Sequence, residues 1–145
     1  MNERADILLI EDNLNEAELT FRALKKIKMF LKMVHLENGE EALDYIFGTG
    51  KYEGRNIMEF PKVILLDLNM PKVNGIEVLR RIKGDERTRI IPVVILTTSS
   101  EHRDVMTCYN LGANSYIIKP VEYDNFVRSL TDIGLYWLVN NHLPV

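Results

Sequence analysis

The sequence predicts an α/β fold built on a single open parallel sheet, and three observations carry that prediction. Five short runs rich in Ile, Leu and Val recur along the chain, at residues 7–10, 33–36, 63–66, 93–96 and 116–118. Segments with apolar residues at helical spacing separate them. All the runs except 33–36 are continuously apolar, as strands buried on both faces of a parallel sheet require.

Taken in order, the first run is followed by Asn13 and Asn15, either of which can cap a helix, and by the stripe Ala17, Phe21, Leu24 and Ile27. The second run, Lys32-Met33-Val34-His35-Leu36, mixes polar and apolar residues and suits a sheet edge. A helix is expected from Glu41 to Phe47, with Ala42, Leu43, Ile46 and Phe47 inward. Residues 48–61 form a long connection holding Gly48, Gly50 and Gly54, and a mobile loop is expected there. After the third run, Ile76, Leu79 and Ile82 make a stripe ended by Gly84. After the fourth, Val105, Cys108 and Leu111 make another, ended by Gly112. The last helix is the longest and carries Phe126, Val127, Leu130, Ile133 and Trp137. Strands alternating with helices in this way place helices on both faces of the sheet, and right-handed crossovers leave few topologies. The expected one is a flavodoxin-like (βα)5 arrangement with strand order 2-1-3-4-5. Ligands in such sheets sit beyond the carboxyl ends of the strands, at the switch point between the first and third.

A chain of 145 residues fits one domain spanning 1–145, and 46% apolar with 27% charged residues excludes a disordered chain. The 18 basic residues are outnumbered by 21 acidic ones and form no block, which argues against a general nucleic-acid binder. Cys108, the single cysteine, can form neither an intramolecular disulfide nor a CxxC knuckle. No secretory pattern opens the chain, and no stretch approaches the ~18 apolar residues of a membrane span. A cytoplasmic protein with no membrane partner is expected.

Chemistry is expected at the strand ends. The first strand ends in Glu11-Asp12, the third in Asp67-Leu68-Asn69-Met70-Pro71, the fourth in Thr97-Thr98-Ser99-Ser100 and the fifth in Lys119-Pro120. With strands one and three adjacent, three carboxylates converge, and close like charges destabilise such a site unless a cation is present. Oxygen ligands without His or Cys favour Mg²⁺. Lys119 and Thr97 then face the same point, an ammonium and a hydroxyl that can cradle a phosphoryl group. Asp67 is the best nucleophile, able to carry that group as an acyl phosphate. His35, His102 and His142 are read as lying outside this constellation.

Glu11-Asp12, Asp67 with Met70-Pro71 and Asn74-Gly75, Thr97, and Tyr116 three residues before Lys119-Pro120 resemble the receiver domain of two-component response regulators. The resemblance covers nearly all of the chain. It implies that Asp67 accepts a phosphoryl group from a sensor histidine kinase. It also implies Mg²⁺ held by Asp12, Asp67 and the Asn69 backbone carbonyl, with Glu11 acting through water. Phosphoryl oxygens would be bound by Lys119, Thr97, Asn69 and the Thr98 backbone N–H, and the Lys119–Pro120 bond would be cis. Asn69 and Ser99 stand at family positions that tune phosphoryl lifetime. The 48–61 loop, the run Leu96-Thr97-Thr98-Ser99 and the ending Trp137-Leu138 before Leu143-Pro144 resemble single-domain regulators associated with bacterial phytochromes, which makes a phytochrome-like kinase a candidate partner.

The same resemblance implies a switch in which Thr97 moves toward the phosphoryl group and Tyr116 turns from an exposed to a buried rotamer. Output is expected through protein–protein contact. Leu135, Tyr136, Leu138 and Val139 widen the last apolar stripe beyond what one sheet face covers. A homodimer is therefore expected through the fourth helix, fifth strand and fifth helix, with Tyr136, Trp137 and Leu138 in the region 122–145 as contacts. Two rivals remain. An aspartyl-nucleophile phosphatase needs a second acid two residues after the nucleophile, where this chain has Asn69. A phosphorylation-independent adaptor would keep the fold without the chemistry, which the complete acid set and Lys119 argue against. A nucleotide-binding module is disfavoured because no GxGxxG or GxxxxGK[ST] is present.

Overall fold

Strands and helices alternate strictly in the computed structural model, which describes residues 4–26, 32–120 and 122–144. They are β1 (Ile7–Ile10), α1 (Leu14–Leu24), β2 (Met33–Leu36), α2 (Gly39–Phe47), β3 (Val63–Leu66), α3 (Gly75–Lys83), β4 (Val93–Thr97), α4 (His102–Leu111), β5 (Ser115–Ile118) and α5 (Tyr123–Leu135). A π-helical turn, Tyr136–Asn140, continues α5. The strands form one sheet in the order β2-β1-β3-β4-β5, with every pairing parallel. The expected topology is therefore the observed one.

Side chains alternate across each strand, so the sheet builds two cores. Leu8, Ile10, Ile64, Leu66, Val93 and Ile95 pack with Ala42, Ile46, Val78, Leu79, Ile82 and Cys108 from α2, α3 and α4. Ile7, Leu9, Val63, Leu65, Val94 and Leu96 pack with Ala17, Leu24, Phe126 and Leu130 from α1 and α5. Continuous apolar strands are what such a double-sided sheet selects. Three helices start by one device. Asn13, Asn38 and Asn74 accept from the backbone N–H of Glu16, Glu41 and Glu77 at 3.1, 2.8 and 3.0 Å, satisfying one orphan donor each. Asn13 rather than Asn15 is the cap of α1, and α2 begins two residues before Glu41. Ile27 lies outside the described residues.

Three expectations need correction. The 116–118 run is not buried on both faces. β5 pairs with β4 alone, and at this edge Tyr116 and Ile117 are half-buried while Ile118 is exposed. The 48–61 connection is fastened rather than loose. Arg55 donates from Nε to Tyr45 O at 2.6 Å and from Nη2 to Ile46 O at 3.2 Å, filling the last carbonyls of α2. Its guanidinium also lies 4.3 Å from the centre of the Tyr45 ring. Finally, the Lys119–Pro120 peptide bond is trans, not cis. The two isomers of an X–Pro bond differ by only ~0.5–1 kcal/mol, so the dipeptide itself does not impose the cis form.

Candidate functional site

The register of β1 against β3 pairs Ile10 with Leu66, so the residues that follow, Glu11 and Asp67, leave the sheet side by side. Backbone bonds fix both positions: Asp67 N–H donates to Ile10 O at 3.0 Å and Glu11 N–H to Leu36 O at 3.1 Å. Carboxylate oxygens of Glu11, Asp12 and Asp67 all lie within 4.8 Å of one another. Glu11 and Asp67 are buried and Asp12 is exposed. The turn from β3 into α3 folds back onto the same point. Gly75 N–H donates to Leu68 O at 2.9 Å, and a Cβ at Gly75 would stand 2.2 Å from Asp67 O. Only glycine permits that approach, which explains the Asn74-Gly75 pair: the first caps the helix and the second lets it reach the acid.

Electrostatically the site is incomplete. Among the described residues, Asp67 Oδ1 is the one buried side-chain nitrogen or oxygen without a hydrogen-bond partner. A buried, unpaired carboxylate oxygen is costly and calls for an external donor or cation. Lys119, the natural counter-charge, is engaged elsewhere. Its Nζ lies 2.6 Å from Glu11 Oε1 and 3.3 Å from Glu16 Oε2. Burial works to lower the Lys119 pKa, but the hydrogen bond and charge of Glu11 together with the charges of Asp67 and Glu16 outweigh it, and the ammonium titrates above its ordinary range. Burial pushes the Glu11 carboxyl up to about 7, the charge of Asp67 adding to the rise and Lys119 opposing it. The shifts pull apart, one favouring a charged pair and the other a neutral acid. The 2.6 Å contact supports an ion pair, with Glu11 the first partner to change charge as pH falls. The all-oxygen donor set and the orphaned oxygen fit a hard divalent cation.

Thr97 ends β4 fully buried, and its Oγ1 accepts from Ser99 N–H at 3.4 Å. Lys119 N–H donates to Thr97 O at 2.7 Å, tying the two strand ends together. Thr98, directly after β4, and Asn69, three residues after β3, are exposed. Asn69 lines a cleft of about 350 Å³ with Leu68, Met70, Asn74, Ile76 and Asp104. Tyr116 is half-buried, and its hydroxyl donates to Ser99 O at 2.9 Å.

Two residues escaped the sequence reading. His35 stays outside the carboxylate cluster but supports it from β2: its Nε2 lies 2.7 Å from the Glu11 main-chain O, and its ring packs edge-on against Phe21. The pairing of Leu9 with His35, two residues before Glu11, is the signal that could have shown it. Glu16 reads in the sequence as an acid in a first helical turn, and nothing local points it at a lysine more than a hundred residues away. At the carboxyl-terminal turn, Leu138 is buried with Phe126 and Leu130, and Trp137 packs half-buried against the same core. Leu135, Tyr136 and Val139 are exposed.

With this geometry established, similarity to known proteins is extensive. Residues 7–131 match the family described as the response regulator receiver domain. The probable methanogenesis regulatory protein FilR2 of Methanothrix harundinacea (strain 6Ac) is 42% identical over 138 residues, 95% of this chain and 86% of that one. Response regulator Rcp1 of Synechocystis sp. (strain ATCC 27184 / PCC 6803 / Kazusa) is 36% identical over 138 residues, 95% and 92% of the two chains. Its Mn²⁺-bound crystal structure superposes with a TM-score of 0.88 at 35% identity, covering 96% of this chain and 98% of that one. The phosphorylated cyanobacterial phytochrome response regulator RcpA gives a TM-score of 0.90 at 35% identity, covering 99% and 100%.

Proposed function

This chain belongs to the family of response regulator receiver domains, and on that premise we propose that Asp67 accepts a phosphoryl group from a histidine of a sensor kinase. Receiver domains are signalling phosphoacceptors rather than enzymes acting on a separate substrate. In the step, the P–N bond to the kinase imidazole breaks, an O–P bond to the Asp67 carboxylate forms, and the ring leaves as neutral imidazole, taking the proton it needs from water. The single observation that carries this reading is the buried, unpartnered Oδ1 of Asp67 at the meeting point of Glu11, Asp12 and Lys119.

Mg²⁺ is the cation the oxygen donor set would take, and Asp12, Asp67 and the Asn69 backbone carbonyl would hold it, with Glu11 acting through water. Bound there, it supplies the positive charge that lets a phosphoryl dianion approach three carboxylates. Lys119 donates to the phosphoryl oxygens, as do the Thr97 hydroxyl, the Thr98 backbone N–H and the Asn69 side chain. Transfer adds roughly -1.5 to -2 charges and strong acceptor oxygens. That charge draws Thr97 inward and biases Tyr116 toward its buried rotamer, a shift between existing states rather than a new fold.

The chain 1–145 works as one receiver unit whose output is contact with other proteins. A second copy of the chain is one such partner, meeting it through α4, β5, α5 and the tail. With Leu138 turned into its own core, the contact passes through Tyr136, its exposed neighbours Leu135 and Val139, and the rim of Trp137. The name of RcpA, a cyanobacterial phytochrome response regulator, supports a phytochrome-like kinase as donor, and a cytoplasmic setting suits one. No helix among the described residues is long and apolar enough to cross a membrane.

Intact mass after incubation with acetyl phosphate and Mg²⁺ tests the reading. One added phosphoryl group is expected, absent from Asp67→Asn and from a chelated sample. No adduct on the wild type would replace this reading with the phosphorylation-independent adaptor. Release of phosphate from small phosphoesters without a stable adduct would favour the phosphatase, against which Asn69 stands.

A further inference from the structure

We propose that Glu16 is a competing counter-ion for Lys119 that disfavours the phosphorylated state, so that this acid on α1 sets how readily Asp67 takes and keeps a phosphoryl group. The inference rests on Asp67 being the phosphoacceptor and adds a positioning residue to that site. Lys119 carries three N–H donors. One donates to Glu11 Oε1 at 2.6 Å, and the ammonium also stands 3.3 Å from Glu16 Oε2 as an ion pair. A phosphoryl group on Asp67 can take a remaining donor, but turning the ammonium toward it draws Nζ away from these carboxylates, and the one held less firmly yields.

Burial decides which. The Glu11 side chain is 3% exposed and makes the shorter contact, so releasing it would strand a charge inside the protein. The Glu16 side chain is 36% exposed, and water takes over its solvation when it leaves. The space exists, because Glu16 and Lys119 share an open cleft of about 210 Å³ with Leu19, Pro120, Tyr123 and Phe126. Once released, Glu16 stays close to a phosphoryl group of roughly -1.5 to -2 charges and repels it. Both effects work in one direction. Glu16 stabilises the unphosphorylated arrangement by holding Lys119, and destabilises the phosphorylated one by its charge. An acid in the first turn also interacts with the helix dipole, but that role acts on folding alone and predicts no change in phosphoryl affinity.

The test is the calorimetric affinity of the full chain for beryllium fluoride, a phosphoryl mimic that binds carboxylates, with Mg²⁺ present. Wild type, Glu16→Gln and Glu18→Gln are compared; Glu18 lies on the same helix but pairs with Arg22 at 2.7 Å. Glu16→Gln is expected to bind roughly fivefold more tightly, the scale of one partly exposed ion pair. Glu18→Gln is expected to match the wild type. The gain from Glu16→Gln should shrink at about 1 M salt, where the Debye length is about 3 Å. Glu16→Asp keeps the charge on a shorter arm and should fall between wild type and Glu16→Gln, which preserves the comparison if the glutamine variant does not fold. Equal affinity in wild type and Glu16→Gln, or a gain unaffected by salt, overturns the proposal while leaving Asp67 as acceptor. No beryllium fluoride binding and no acetyl phosphate adduct on the wild type overturns the phosphoacceptor reading, and this inference with it.

Discussion

Arg55 and Asp67 are both ionic groups drawn in from water, and the molecule meets their needs in opposite ways. Arg55 finds the final carbonyls of α2 at 2.6 and 3.2 Å, further carbonyls of Asn56 and Glu59 at 3.4 and 3.5 Å, and the face of Tyr45. Its hydrogen-bonding is met within the chain, and the result is a closed joint between helix and loop. Asp67 keeps an oxygen with no donor while the nearest ammonium serves two other acids. A satisfied buried charge holds structure in place, whereas an unsatisfied one waits for a ligand. The difference separates an ionic group the chain satisfies from one it leaves open, the property on which the proposed role of Asp67 rests.

Variants can break or sharpen that contrast. The largest effect is expected from Gly75→Ala, whose Cβ would stand 2.2 Å from Asp67 O. Forcing the backbone apart should cost about 1–3 kcal/mol in urea unfolding and displace the acid, so phosphoryl uptake falls with stability. Arg55→Met comes next. Losing the donors to Tyr45 O and Ile46 O should cost about 2 kcal/mol, yet acetyl phosphate labelling of the folded protein should be unchanged. A labelling defect as large as that of Gly75→Ala would erase the distinction between the two regions.

The pH dependence sharpens it further. The Glu11 carboxyl is pushed up to about 7, against 4.5 for its ordinary value. Between those values the folded chain binds the extra proton, so the Glu11 contribution to stability falls as pH rises through that window. The slope cannot exceed about 1.4 kcal/mol per pH unit for one group. Comparing urea unfolding of metal-free wild type with Glu11→Gln from pH 5 to 8 should show the wild type losing ground as pH rises. Saturating Mg²⁺ should flatten the trend, since the cation favours the charged carboxylates. The smallest effect is expected from Tyr116→Phe. It removes the 2.9 Å bond to Ser99 O and should cost about 0.5–1.5 kcal/mol, read from thermal unfolding.

What the sequence made legible follows from how local each signal is. Strands β1, β3 and β4 show as unbroken apolar runs because both faces are covered, and their polar ends mark where the acids must gather. The start of α1 was legible in Asn13, while Asn38 and Asn74 cap α2 and α3 in the structure and α4 and α5 have no side-chain cap bond. Edges and long-range pairings were harder. The Tyr116-Ile117-Ile118 run is as apolar as an interior strand, but being last in the sheet leaves Ile118 exposed. Glycines at 48, 50 and 54 suggested looseness, while the fastening comes from Arg55, whose carbonyl partners carry no side-chain signature. Glu16 beside Lys119 and His35 beside Glu11 depend on tertiary packing. Leu138 turns inward because it follows buried Leu130 by eight residues and buried Gly134 by four, on the same helical face, which the widened apolar stripe at 135–139 obscured in the sequence.

The most direct test of the unsatisfied charge at Asp67 is thermal unfolding of wild type and Asp67→Asn, each with and without millimolar Mg²⁺. Removing an uncompensated buried carboxylate should make the metal-free variant the more stable of the two. A shift of about 4 °C for each kcal/mol is expected for a chain of this size. Mg²⁺ should then raise the wild type toward the variant and leave the variant nearly unmoved. A metal-free variant less stable than wild type, with both proteins gaining equally from Mg²⁺, would contradict the account.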